Sequence, residues 1–151
     1  MGSSMGFLDD SLAIRWRLHI ASSPATVHRA LSTDEGRVRF WAESAVERDG
    51  EIEFRFPDGQ VLRGHVVENA PPRRFTVRYF GGSVATFELA DDGSGGTDLT
   101  LTERGVPAPW RVQNIAGWVS VLLALKAAVD FSVDLRNHDP RRTWDQGYVE
   151  N

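Results

Sequence analysis

The side chains able to do chemistry are few and scattered. The four histidines, His19, His28, His65 and His138, match none of the compact metal-ligand spacings such as H-x-H or H-E-x-x-H. No metal and no other cofactor is expected, a site assembled only in three dimensions being the exception. The chain has no cysteine, which removes disulfides, thiolate metal sites and cysteine catalysis. No G-x-S-x-G occurs, so there is no nucleophile elbow. GSGG at Gly93–Gly96 falls between two strand-like runs and reads as a hairpin loop, not as a phosphate cradle before a helix. "HDP" at His138 reads as a helix terminator, and no catalytic set is expected.

One carboxylate stands out. In TDLTLTERG, Glu103 shares strand parity with Leu99 and Leu101, the inward positions of that run. A carboxylate facing an apolar cavity has a raised pKa and can bind or protonate a ligand. If the strand instead ends at Thr102, Glu103 is solvated at the rim. The rim is the plainer expectation, because strand ends are the least certain part of a pattern reading. Tyr79 points inward by the same parity and its hydroxyl needs a partner. Arg63 and His65 point outward.

These groups have to be positioned by the elements around them. LAIRWRLHI alternates Leu12, Ile14, Trp16, Leu18 and Ile20 against Arg15, Arg17 and His19, the period of a half-buried strand. SSPATVHRAL supplies a capping Ser23, Pro24 for a first turn, and a stripe of Val27, Ala30 and Leu31. A second short helix over STDEGRVRFW is weakened by Gly36. The period of two then returns in EIEFRF, QVLRGHVVE, FTVRYF, VATFELA and TDLTLTER, joined by PDG, GGS and DDGSGG turns. Gly64 marks a close approach or a bulge. The pattern predicts an antiparallel meander of six or seven strands.

The most apolar run is IAGWVSVLLALKAAVDF, from Ile115 to Phe131. It falls short of the roughly 20 apolar residues of a membrane span and carries Ser120, Lys126 and Asp130. It reads as part of a buried helix from about Trp110 to Arg136, ended by Asn137 and Pro140. Ile115, Trp118, Leu122, Leu125, Val129 and Val133 form a bulky stripe, and Ala116, Ser120, Ala124, Ala127 and Asp134 lie opposite. Such a helix must cover the apolar face of the sheet. Leu123 and Phe131 lie off the stripe and pack under loops or against a second chain. The aromatics of sheet and helix either fill the core or line a pocket between them. Periodicity leaves both open.

The 151 residues fit one domain, with a net charge of −4 that argues against nucleic-acid binding. The N-terminus lacks the basic-then-apolar order of a signal peptide, and MGSSMG carries no fold signal. A single lysine among 17 cationic residues reads as the high-GC coding bias of a bacterial source. The expected divisions are a flexible segment at 1–11, a domain at 12–136 and a tail at 137–151. The tail keeps Trp144 and Tyr148 in a polar setting. Disordered segments are aromatic-poor, so both are expected to dock on the domain or on a neighbouring subunit.

IASSPATVHRALST, Phe40-Trp41, PDGQVLRGHVVENAPPRRFTVRY, SVATFELADDGSGGTDLTLTERG and GWVSVLLALKAAV occur in an order that resembles the Hsp90 ATPase activator homologue family. That family is a branch of the START-like, Bet v 1-like (SRPBCC) superfamily, and the likeness covers about residues 12–136. It implies an α+β helix-grip fold, in which a curved antiparallel sheet wraps around the C-terminal helix. Two short helices follow the first strand, and a cavity lies between sheet and helix. It also implies binding of hydrophobic small molecules, and it carries over no catalytic residues. The expected cavity residues are Trp41, Phe54, Phe56, Tyr79, Phe87, Leu101, Glu103, Trp118 and Leu122. The leading expectation is a cytoplasmic binder of an apolar small molecule, with no nucleic-acid or membrane partner and a homodimer as a further candidate. A co-chaperone-type protein-binding module is the alternative, and an enzyme acting on an aromatic or polyketide-like compound is the third reading.

Overall fold

The computed structural model describes residues 13–151. The expected N-terminal segment and Leu12 lie outside the described residues. Seven strands form one antiparallel sheet: β1 (Ala13–Ile20), β2 (Ser44–Arg48), β3 (Glu51–Arg55), β4 (Val61–Ala70), β5 (Arg74–Arg78), β6 (Val84–Asp91) and β7 (Thr97–Arg104). Their order is β1-β7-β6-β5-β4-β3-β2. From β1 at one edge the chain crosses to the other through helices α1 (Pro24–Ser32) and α2 (Asp34–Arg37), and returns strand by strand. The curved sheet grips the long helix α3 (Arg111–Phe131). This is the α+β helix-grip arrangement.

Local chemistry explains the elements. Ser23 accepts from the Thr26 N–H and Pro24 begins α1, whose Val27, Ala30 and Leu31 are buried. Thr33 caps α2 through the Gly36 N–H. Gly36, which weakens the helix by propensity, is required by packing: a Cβ there would lie 2.4 Å from the Ala30 carbonyl oxygen. Arg37 on the same turn is fully buried and satisfied, its guanidinium donating to the Ala45 and Leu31 carbonyls and to Asp34. At Gly64 a Cβ would lie 2.7 Å from the Arg78 carbonyl oxygen, so the close approach is there. The register shift of β4 falls two residues later, between Val66 and Glu68.

Two elements differ from the sequence reading. β2 is a strand that the alternation did not single out. Asp49 and Gly50, both at positive φ, turn it into β3. Helix α3 stops at Phe131, not at Arg136, because Ser132 takes the left-handed conformation and its N–H returns to the Ala127 and Ala128 carbonyls. Val133 therefore leaves the bulky stripe and is exposed.

The α3 end is also tied down from outside. Asp130 accepts from the Ala21 and Ser22 N–H groups, the Ser22 hydroxyl and Lys126. Burial of its carboxyl works against the charge. The donors outweigh it and hold Asp130 down to about 2.

Candidate functional site

Helix α3 has two flanks, and they meet different surroundings. The inner flank carries Trp118, Leu122 and Leu125, all buried against the concave face of the sheet. Here the rings interlock. Trp41 lies with its ring centroid 5.0 Å from Phe54, 5.8 Å from Tyr79, 5.6 Å from Phe87 and 6.1 Å from Trp118. Tyr79 and Phe87 lie 5.4 and 5.7 Å from Trp118. Leu101 is fully buried in the same cluster. Phe56 sits half-buried at its end, stacked between Phe54 and Phe80. The expected cavity residues are thus brought together, and Phe54, Tyr79, Phe87, Leu101, Trp118 and Leu122 are buried members of one hydrophobic cluster. Aromatic pairs at these separations contribute beyond their buried area.

The polar groups inside this cluster are satisfied by one another. Trp41 Nε1 donates to the Tyr79 hydroxyl at 3.0 Å, and burial pushes the Tyr79 phenol well above its usual range. Glu103 is not at the rim: β7 continues to Arg104 and Glu103 is fully buried. It accepts from Ser83 Oγ at 2.6 Å, Trp118 Nε1 at 2.7 Å and Asn114 Nδ2 at 3.3 Å. A buried carboxylate with three donors on it is a clamp that joins β7 to the start of β6 and to α3.

The outer flank of α3 is different. Ala116, Val119, Ser120, Leu123 and Ala124 face a cleft of about 680 Å³. Phe40 and Trp41 form its floor, and Leu135 and Arg136 with Trp144, Tyr148, Val149, Glu150 and Asn151 of the tail form its far wall. Of the expected cavity residues, Trp41 lines this space. Its ring joins the packed cluster to the cleft. The small side chains of the flank leave the room, and Val119 and Leu123 remain 38% and 49% exposed. Ser120 is the polar side chain that the helix presents to the cleft.

The tail that closes the cleft is folded on itself and pinned to the domain. The Asn137 N–H donates to the Glu150 carbonyl, and the Trp144 N–H to Asn151 Oδ1. Thr143 and Gln146 cap each other around the turn at Trp144–Gln146. Arg136 donates to the Ala42 and Val38 carbonyls and to Asp134. His138 bridges Glu43 and Asp134. It lies well past the end of α3 and does not terminate a helix.

The remaining histidines are apart. His19 pairs with Asp92, His65 lies outward beside Glu51, and His28 is buried against Phe75. Among the described residues no group of three or more His, Asp or Glu side chains is placed to hold a metal ion.

The cleft escaped the sequence reading because it depends on a tail without any period. The signals that could have pointed to it were Leu123, off the bulky stripe, and the two tail aromatics.

The sequence profile of the family described as "Activator of Hsp90 ATPase homolog 1-like protein" matches residues 21–130. The chain belongs to this family. It is a branch of the SRPBCC superfamily. No curated protein matches the chain. Solved structures share its fold. The Aha1 dimer of Colwellia psychrerythraea is 23% identical, with 79% of this chain and 96% of that one covered at a TM-score of 0.70. A Staphylococcus saprophyticus protein is 22% identical, with 82% and 96% covered at 0.72. An AHSA1-like protein of Aeromonas hydrophila is 18% identical, with 80% and 93% covered at 0.70. At these identities the likeness is one of fold. Within the family architecture, Ala108–Phe131 is long and apolar enough to cross a membrane by length and composition. In this fold it contains the gripped helix, held to the sheet by Trp118 and Glu103.

Proposed function

We propose that this protein binds a largely apolar, uncharged small molecule in the cleft between the outer flank of α3 and the C-terminal tail. The carrying observation is the cleft itself. Its volume of about 680 Å³ lies within the ~300–1,000 Å³ range of small-molecule sites. Its wall is mostly apolar and aromatic; Glu150 and Asn151 add polar groups at the tail side, and the charge of Arg136 is already spent on Asp134 and two carbonyls. Ser120 offers one hydroxyl to orient a ligand oxygen. Affinity then comes from apolar area removed from water, at about 25 cal/mol per Å². The packed inner cluster supports the same placement, because a ligand between sheet and helix has to displace interlocked rings. A cytoplasmic, bacterial setting belongs to this reading.

Titration with the neutral dye Nile red tests it. The dye brightens on binding the native protein, Leu123→Asp and Ala116→Trp remove the signal, and both variants keep the native melting temperature. Undiminished binding in both variants overturns the placement.

A second reading has its own observation. Val112, Leu123 and Phe131 are exposed on α3 at 79%, 49% and 68%, and one solved relative is a dimer. Self-association through the outer flank would cover these residues. Sedimentation of the native chain and of Phe131→Glu distinguishes the readings, since only an interface loses mass in the variant.

A further inference from the structure

The tail is attached to the domain at one charged cluster, and that cluster has an unusual composition. His138 Nδ1 lies 2.6 Å from Glu43 Oε2, in the loop before β2, and His138 Nε2 lies 2.7 Å from Asp134 Oδ2. A neutral imidazole has one N–H and one bare nitrogen. Both nitrogens can donate to carboxylates only when the ring carries two protons. With its proton, the set of His138, Glu43, Asp134 and Arg136 is formally neutral; without it, the set carries one net negative charge and one carboxylate faces a lone pair. The same residue has φ of +55°, a left-handed conformation that non-glycine residues rarely adopt. The two charge-assisted bonds hold it there.

We propose that residues 132–151 form a strap over the cleft, latched by protonated His138 and released as the pH rises. This rests on the reading of the cleft as the ligand site and supplies its regulation. Leu135 and Arg136 line the cleft immediately before the latch, and Trp144, Tyr148 and Val149 line it after the chain turns back. The chain after Arg136 is closed on itself through Asn137 and Glu150, so release at His138 lets its part of the wall, with Trp144, Tyr148 and Val149, swing as one piece. Arg136, which donates to the Ala42 and Val38 carbonyls, is the pivot.

The direction follows from the neighbours. The hydrogen bond with Asp134 raises the His138 pKa most, partial burial lowers it, Glu43 raises it again, and the Arg136 charge works against it; the balance is upward. The latch is therefore intact below the ordinary histidine range near 6.5 and weakens as pH climbs through the raised value. Asp134 stays ionised throughout. Burial opposes its charge, but Arg136 and His138 hold it well below the usual carboxylate range.

Hydrogen exchange of the ligand-free chain tests the latch without reference to any ligand. After correction for intrinsic exchange, amides in 135–151 should be about tenfold better protected at pH 6 than at pH 9, the effect of about one charge-assisted bond. Amides of β7 should not change. His138→Ala and Glu43→Gln should each flatten the tail's pH dependence and leave it at the unprotected level. Equal protection at pH 6 and 9, or an unchanged pH profile in both variants, overturns the latch. Nile red release followed in parallel separates the two ideas. A pH-dependent tail with no dye binding leaves the strap standing and removes the ligand reading, and dye binding over a pH-insensitive tail does the reverse.

Discussion

The two flanks of α3 share one backbone and differ in almost everything else. The inner flank sets Trp118, Leu122 and Leu125 into a cluster of five interlocking rings, with a buried carboxylate fully occupied by donors. The outer flank sets Ala116, Ser120 and Ala124 between Val119 and Leu123 and leaves a cleft that the tail walls in. A helix that is apolar all round has two ways to satisfy both faces: core on one side and a covered or occupied surface on the other. On the proposed reading, stability belongs to the inner flank and ligand binding to the outer one. Each flank should therefore respond to mutation in its own observable.

The largest effect belongs to the inner flank. Trp118→Ala should cost about 3–5 kcal/mol in chemical denaturation, from the cavity it leaves and from the donor it removes from Glu103. Glu103→Gln comes next. It keeps the shape but sets an amide N–H₂ among three donors, and should cost about 1–3 kcal/mol. A loss under ~0.5 kcal/mol for either would break the claim that this flank is filled.

Acid provides a graded test of the clamp at the helix end. Asp130 is held down to about 2 in the folded protein against an ordinary value near 3.9. A depressed carboxylate contributes stability above its unfolded pKa and loses it as pH falls through the folded one. Between about pH 4 and pH 2 the native chain should lose about 2 kcal/mol more than Asp130→Asn does. Parallel acid-unfolding curves for the two would contradict that role.

How much of this could be read from residues alone divides along the same line. The inner set was legible where β3 and β7 alternate, so parity placed Phe54 and Leu101 on the inside; in β5 Phe75, Thr76 and Val77 are all buried, and Tyr79 follows the strand's end. What parity cannot supply is whether inward rings touch, since that depends on sheet curvature and helix height. Glu103 illustrates the limit. Its parity was right, and its burial turned on β7 extending two residues beyond Thr102. β2 was overlooked although Asp49-Gly50 behind it is a strong hairpin signal. The helix end was misplaced because Val133 continues the stripe and Ser132, not a glycine, takes the left-handed turn. The outer cleft was illegible for a physical reason. Its far wall comes from a tail held by Arg136 and His138, and single contacts across some 95 residues leave no periodic trace.

The smaller predictions concern the outer flank. Leu123→Asp should change stability by less than ~0.5 kcal/mol, since Leu123 is half-exposed, yet remove binding of a neutral apolar dye. Ser120→Ala should leave stability unchanged and weaken oxygen-bearing ligands by a few-fold, the effect of about one neutral hydrogen bond. A destabilised Leu123→Asp would erase the contrast between the flanks.

The contrast is tested most directly by locating a bound apolar molecule. Nuclear Overhauser contacts between an unlabelled neutral probe and the methyl-labelled protein report which flank it touches. The account predicts contacts to Val119, Leu123 and Val149, with none to Leu101 or Leu122. Contacts to Leu101 and Leu122, with Val119 and Leu123 silent, would place the ligand between sheet and helix and contradict it.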